Sequence, residues 1–409
     1  MSGGGTDGTS AAGWAFEPAA LGPLRLRNRV LRSGCFEGMC PGGAPSEALR
    51  EHHREVAAGG AAMTTVAYCS VSADGRSYGT EMWMRPEIVP DLRRLTDAVH
   101  AEGCAASLQI GHCGRFSDPR VIGGRAVAPS AVFCLFRLSW PRAMGAGDLE
   151  RVAGDFVRTT RLAREAGFDA VEVHAGHGYL LSQFLSPHTN RRRDALGGDL
   201  DARCRWPAEV VTRVRESAGP GMAVLVKANV DDGFRGGLTP AEAVGVATRF
   251  EAAGADAIVT SGGFTSRTPF YMLRGEVPVR RMVRNEADPL RRLGLACFGR
   301  LVVREYPFDR TFFLRDGAPV AKALKVPAAL VGGVCDRADI ERAREAGFGF
   351  VVMGRALIRD PGLPSRMARG QSDGSDCDHC NRCVAAMDLG GVRCITRDEE
   401  DAGRPRSLD

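Results

Sequence analysis

The stretch LAREAGFDAVEVHAGHGYLLSQFLSP, residues 162–187, holds a helix end, a glycine stop, a short apolar strand and a cluster of polar side chains. Glycine past the last helical turn takes the left-handed conformation without Cβ strain. The apolar run that follows reads as a strand buried on both faces, as in parallel sheets. The same junction recurs along the chain. Ala57-Ala58-Gly59 precedes AAMTTVAY, and Ala101-Glu102-Gly103 precedes CAASLQI. Ala252-Ala253-Gly254 precedes ADAIVTS, and Glu345-Ala346-Gly347 precedes FGFVVMG.

Helix, glycine stop and buried strand in repetition define an α/β architecture. Eight candidate strands lie near residues 29–35, 62–69, 105–110, 169–175, 223–228, 256–260, 327–331 and 349–353. Amphipathic helices such as 149–166 and 240–253 separate most of them. Eight parallel strands predict a (β/α)8 TIM barrel. A doubly wound open sheet would carry a glycine-rich fingerprint after its first strand, and none is present. PLRLRNRV, before the first strand, predicts an N-terminal hairpin closing the barrel bottom. Residues 264–326 form a long, arginine-rich insertion between strands 6 and 7, and residues 111–148 a second excursion.

The glycine- and serine-rich start predicts a disordered leader over 1–15, followed by the barrel over 16–370 and a cysteine-rich extension over 371–409. That start lacks the basic and apolar regions of a signal peptide, and no apolar run is long enough to span a bilayer. Of the thirteen cysteines, nine are dispersed as small apolar residues, which with the missing signal predicts a reducing cytoplasmic location. The net charge of +5 is mild and scattered, so nucleic acid is not an expected partner.

In a barrel, residues just past each strand face one pocket. In order these are Ser33-Gly34-Cys35, Tyr68-Cys69-Ser70, Gln109 with His112, then His174, His177 and Tyr179. Lys227, Ser261-Gly262-Gly263, Gly332-Gly333 and Gly354-Arg355 complete the ring. The loops after strands 7 and 8 are the recurrent phosphate site of barrels, and Gly332, Gly333, Gly354 and Arg355 suit a phosphate-bearing ligand. Gln109 and Lys227 suit a ring with carbonyl and N–H edges on which negative charge develops, such as a reduced isoalloxazine. His174, His177 and Tyr179 offer hydrogen-bond donors and a proton donor.

His-x-x-His-Gly-Tyr-Leu, followed by Phe184, Ser186-Pro187, Asn190, Arg192 or Arg193, Asp194 and Gly197-Gly198, resembles the old yellow enzyme family. The resemblance runs from about Leu21 to Cys394. It implies FMN as cofactor and NAD(P)H as electron donor. It implies that Ser33, Gly34, Cys35, Tyr68, Gln109 and Lys227 approach the flavin ring, and that Gly332, Gly333, Gly354 and Arg355 hold its phosphate. His174 and His177 would bind the oxygen of a small substrate with an activated alkene, and Tyr179 would donate a proton. Phe36 stands where some relatives carry a redox-tuning cysteine, with Cys35 one residue earlier.

Cys377-x-x-Cys380-x-x-Cys383 followed by Cys394 is a metal-site pattern, open to an iron–sulfur cluster, to zinc or to free thiols. It resembles the cluster motif of the 2,4-dienoyl-CoA reductase and trimethylamine dehydrogenase branch, which implies a [4Fe–4S] cluster. That branch also carries a second flavin- and nucleotide-binding region, for which the chain ending at Asp409 leaves no room. The expected function is therefore an FMN-dependent NAD(P)H oxidoreductase reducing an activated C=C bond. Its nearest alternative is a dehydrogenase or demethylase passing electrons through the cluster to an electron-transfer partner. A zinc barrel hydrolase using His112, His174 and His177, and a barrel that binds without turnover, are the readings from other classes. A homo-oligomer is compatible with all of them.

Overall fold

The computed structural model describes residues 11–286, 289–387 and 389–404. All eight expected strands form: β1 (Val30–Arg32), β2 (Met63–Ser70), β3 (Ala105–Gly111), β4 (Ala170–Ala175), β5 (Ala223–Asp231), β6 (Ala257–Gly262), β7 (Ala328–Val331) and β8 (Phe350–Met353). Each pairs in parallel with the next, and β8 returns to β1, so the sheet closes into a barrel. Helices α1 (Glu47–Ala58), α2 (Val89–Ala101), α3 (Ala146–Glu165), α4 (Leu200–Ala218), α5 (Pro240–Ala252), α6 (Leu314–Ala323), α7 (Arg337–Glu345) and α8 (Leu363–Ala368) follow the strands in turn.

Local chemistry sets these boundaries. The Ser46, Asp199 and Asp336 side chains accept from backbone N–H groups in the first turns of α1, α4 and α7. Gly103, Gly167, Gly254 and Gly347 end their helices with positive φ, as the junction requires. In the first copy the left-handed residue is Gly60 rather than Gly59, and Gly59 packs its bare Cα against the Pro361 carbonyl.

Strand alternation divides the core in two. On β5, Val224 and Val226 face the helix layer, while Ala223 and Leu225 face the lumen. The same parity puts Ala170 of β4, Ala257 and Val259 of β6, and Phe350 and Val352 of β8 in the lumen. The lower lumen is closed by the antiparallel hairpin Ala19–Leu21 and Leu24–Leu26, whose buried Leu21 and Leu26 join that cluster. The expected bottom plug is therefore present.

Part of the expected leader is described. Ala11–Phe16 is helical, because Trp14 packs under the Arg29 guanidinium at 4.9 Å and Arg29 N–H donates to the Ala15 carbonyl at 2.8 Å. Residues 1–10 of the expected leader lie outside the described residues. The insertion between β6 and α6 contains helices Val279–Asn285 and Pro289–Val302. Among the described residues no helix is long and apolar enough to cross a membrane, and all thirteen cysteines are free thiols.

Candidate active site

Lumen parity builds the site. Continuing the inward sets upward from the apolar floor, β3 presents Gln109, β4 presents Glu172 and His174, β5 presents Lys227 and β6 presents Ser261. Gln109 and Glu172 are register partners, as are Lys227 and His174. Gln109 Nε2 donates to Glu172 Oε1 at 2.6 Å, and Lys227 Nζ lies 2.8 Å from the same oxygen. All three side chains are buried. The ammonium angle leaves Lys227 Nζ in an ion pair without a hydrogen bond, so its donors are available to a ligand.

A flavin ring fits this floor. Gly34 lies against Gln109, where a Cβ would come 2.8 Å from Nε2, and Gly354 faces Cys35 and Ser33. A bare backbone at both positions leaves a flat approach to the polar layer, and the ammonium, paired on one side with Glu172, suits a ring oxygen that gains negative charge.

Above this layer the β4–α4 loop brings the aromatic cluster together. His174 lies edge-on to His177 at 4.9 Å and to Tyr179 at 4.7 Å between ring centroids. The loop reverses through His177 (φ +59°) and Gly178 (φ +75°), and a Cβ on Gly178 would strike the Phe264 ring. Gly176 N–H donates to His174 Nδ1 at 3.2 Å, leaving Nε2 to carry the proton. His177 Nε2 meets Ser261 Oγ at 2.7 Å, and its backbone N–H donates to Asn229 Oδ1 at 2.9 Å.

Burial lowers the pKa of His174 well below the usual imidazole range, aided by His177 and the Lys227 charge. Burial and Lys227 bring His177 down to about 3. Both rings are therefore neutral near pH 7. Burial raises the Tyr179 phenol well above its usual value, with Cys113, Tyr78 and Glu81 adding to the shift. The arrangement offers neutral N–H donors and a protonated phenol within one cage, which Tyr68, Tyr78, Phe36 and Phe116 line.

His112 does not join this group. Its Nδ1 accepts from Gly114 N–H at 2.9 Å, and its Nε2 lies 3.8 Å from Asp74. The His112, His174 and His177 set of a zinc hydrolase is not assembled.

At the ends of β7 and β8, Gly332 and Gly333 have positive φ and pack against Phe312 and the Asp309–Thr311 backbone. Gly354 caps the short helix Arg355–Arg359, whose opening N–H groups lack intrahelical partners. The Arg355 guanidinium turns away from that turn. It donates to the Leu273 and Arg274 carbonyls and to Asn381 Oδ1. Its fork is thus occupied by protein oxygens, and a phosphate here would meet backbone N–H groups.

Cys377, Cys380, Cys383 and Cys394 line one cavity of about 260 Å³ with Arg355 and Arg359. Among the described residues no three His, Cys, Asp or Glu side chains converge on a single-ion position. Arg192, not Arg193, is the arginine that binds Asp194 and the Pro129 and Met144 carbonyls, fixing the loop after Tyr179.

Sequence reading missed Glu172, Asn229 and Thr265, whose hydroxyl donates to the His177 carbonyl at 2.9 Å. Glu172 stands between two valines and looks like an ordinary polar member of a strand. The signal that finds it is parity with His174: both point into the lumen once the sheet closes.

A closed parallel barrel with a polar ring at the strand C-termini, a buried cation and a neutral imidazole–phenol cluster defines a cofactor-dependent barrel oxidoreductase. The chain belongs to the NADH:flavin oxidoreductase / NADH oxidase family, whose model matches residues 15–265. It is a flavin- and NAD(P)H-dependent oxidoreductase of the old yellow enzyme type. It is 44% identical over 390 residues to 4,4'-dithiodibutanoate disulfide reductase of Rhodococcus erythropolis, covering 94% of this chain and 95% of that one. It is 31% identical to the metal reductase of Desulforamulus reducens, covering 96% of this chain and 54% of that one. The chain thus spans about half the length of that second relative. Among solved structures, 2-naphthoyl-CoA reductase superposes with a TM-score of 0.81 at 23% identity, over 95% of this chain and 57% of that one. The old yellow enzyme homologue from Zymomonas mobilis superposes at 0.71 and 21% identity, over 89% and 94%.

Proposed function

We propose that this protein moves a hydride from NAD(P)H, by way of FMN, to a polarised small-molecule acceptor whose reacting group is an activated C=C bond. The observation that supports it is the neutral His174–His177 pair set edge-on to a protonated Tyr179 at the barrel mouth. Gln109 and Lys227 hold the polar edge of the ring, with Glu172 fixing both. His174 Nε2 and His177 donate hydrogen bonds to the acceptor's carbonyl oxygen and draw electron density from the alkene. Tyr179 gives its proton to the α carbon as the β carbon is reduced. Bound FMN supplies the hydride relay between the two substrates.

The test is rapid-mixing kinetics of the holoenzyme and Tyr179→Phe, with NADPH and then 2-cyclohexen-1-one. We expect flavin reduction by NADPH to be retained and reoxidation by the enone to slow by about 100-fold or more. Reoxidation of the variant at the wild-type rate would remove Tyr179 as the proton donor.

Identity of 44% across nearly the whole chain to a disulfide reductase favours a second acceptor, an organic disulfide. There the hydride goes to one sulfur, the S–S bond breaks, and the departing thiolate takes the Tyr179 proton, giving two thiols. The ratio of kcat/KM for 4,4'-dithiodibutanoate to that for 2-cyclohexen-1-one separates the two readings.

For the four C-terminal cysteines we propose a [4Fe–4S] cluster in preference to zinc, because all four line one cavity and, among the described residues, no three ligands converge on a single-ion position. Iron and sulfide analysis of anaerobically purified protein tests this. Protein with neither would leave zinc or free thiols, which zinc analysis separates, and would remove the dehydrogenase or demethylase reading with its electron-transfer partner.

A further inference from the structure

Most arginines that border the active site are spent on carboxylates. Arg137 pairs with Asp118, Arg151 with Asp74 and Arg192 with Asp194. Three are not. Among the described residues, Arg115, Arg191 and Arg267 have no acidic partner, and all three approach His188. Arg267 Nη1 lies 3.3 Å from both His188 ring nitrogens, and its guanidinium covers the Phe234 ring at 4.4 Å. Arg191 Nε donates to the His188 carbonyl at 3.3 Å.

Arg115 is the decisive member. Its side chain is 3% exposed; Nη2 donates to the Phe133 carbonyl at 2.6 Å, and the Cys134 thiol lies against the guanidinium. Nε and Nη1 are buried without hydrogen bonds. A guanidinium taken out of water with two unmet donors is costly unless something anionic completes it. The three charges share one field. Burial and then Arg267, Arg115 and Arg191 push His188 down to about 4, so the imidazole stays neutral and adds no further charge.

This group adjoins the reacting cage. Phe116, next to Arg115, lies 5.9 Å edge-on from Tyr179. Thr265, two residues before Arg267, donates to the His177 carbonyl at 2.9 Å. On the other side Phe136, from the apolar tip at residues 133–140, covers Phe116 at 5.1 Å.

We propose that Arg115, Arg191 and Arg267, gathered at His188, form an oxyanion subsite that takes a carboxylate of the electron acceptor while its reacting atoms lie at Tyr179. Planar guanidinium forks match a carboxylate in two-point contact. The acceptor class is an organic acid with an apolar body, which lies against Phe116 and the 133–140 tip. This assignment rests on the proposed transfer to a small-molecule acceptor and specifies its charge.

The test uses holoenzyme and an Arg191→Gln/Arg267→Gln double variant, with Arg115 left in place because its burial makes substitution a folding risk. Each acceptor is offered as acid and methyl ester: 4,4'-dithiodibutanoate and its dimethyl ester, and 4-oxo-2-pentenoate and its ester. We expect the acid-to-ester ratio of kcat/KM to fall by about 10- to 100-fold in the variant, the loss of one or two charge-assisted hydrogen bonds. Equal losses for acid and ester would overturn the subsite. So would a KM rise confined to NADPH and absent for NADH, which would assign the cations to the nucleotide phosphate. Butanoate titrated into oxidised holoenzyme and followed by flavin absorbance requires no turnover. Butanoate binding that weakens in the variant, with no acceptor reduced, would keep the subsite and overturn the acceptor reading instead.

Discussion

Glu172 carries more of the site than its place between two valines suggests. It holds the Gln109 amide and the Lys227 ammonium with one buried oxygen. Removing one partner of a buried ion pair leaves the other charge uncompensated. Glu172→Ala should therefore destabilise the apoprotein by about 3–5 kcal/mol, read by urea unfolding. A loss under about 1 kcal/mol would mean that Lys227 finds another partner or loses its proton. The imidazoles and the phenol make a different prediction. His177 has its pKa near 3 and Tyr179 well above its ordinary value. Neither changes charge between about pH 5 and 9. The rate of reoxidation by an enone should show no limb from these groups across that window. An acidic limb with a midpoint near the ordinary imidazole value would mean that a histidine charges in the working site. The sign for stability is separate. An imidazole whose folded pKa is depressed leaves stability intact above the unfolded pKa, and stability falls as pH drops below it, because only the unfolded chain takes the proton. With His174 and His177 both depressed, acid unfolding should be steeper than in a His177→Asn variant by roughly 1.4 kcal/mol per pH unit between about pH 6 and 4.

At the scale of elements, the hairpin under the barrel and the loops above it separate stability from chemistry. Leu21 is fully buried at the lumen floor with Leu31, Met63, Leu225 and Phe350, at the opposite end from His174. Leu21→Ala should cost about 2–5 kcal/mol through lost burial and the cavity left behind, with flavin content and turnover retained at permissive temperature. Differential scanning calorimetry beside a steady-state assay reads both; an unchanged melting temperature would mean that the hairpin is not a structural plug. The eight strands were legible because a glycine stop and a doubly buried apolar run are local signals that recur. The strand ends were legible because barrel geometry sends them to one mouth. Glu172 was not legible, since inward and outward faces become distinct only when the sheet closes. The Arg115–Arg191–Arg267 group was hidden for a related reason: its members lie 76 and 152 residues from Arg115 along the chain and meet only through loops after β3, β4 and β6. The short helix Ala11–Phe16 was missed because contacts from Arg29, remote from it in sequence, order it against a composition that favours disorder.

Across the whole molecule, one side chain ties three remote parts together. Asn381, in left-handed conformation within the cysteine-rich segment, accepts from Arg355 Nη1 at 2.6 Å and donates to the Arg274 and Glu276 carbonyls at 3.1 and 2.9 Å. Arg355 belongs to the loop after β8, Arg274 and Glu276 to the insertion after β6. The insertion, the end of the barrel and the cysteine segment are therefore held as one unit at the mouth. Nearby, His379 stacks flat on Phe308 at 3.4 Å and adds a second contact between the same segments. Asn381→Ala removes three hydrogen bonds from that junction, while Arg355 Nη1 and the Arg274 carbonyl keep each other, at about 1 kcal/mol for each bond lost. Stability is not uniform across a fold, and segments with few apolar contacts open first. Hydrogen exchange followed by mass spectrometry should show faster exchange in both 273–306 and 371–404 in the variant, while β3, β4 and β5 keep their protection. Faster exchange confined to 371–404 would mean that the insertion is held by the barrel alone, and that the cysteine segment has no part in shaping the mouth.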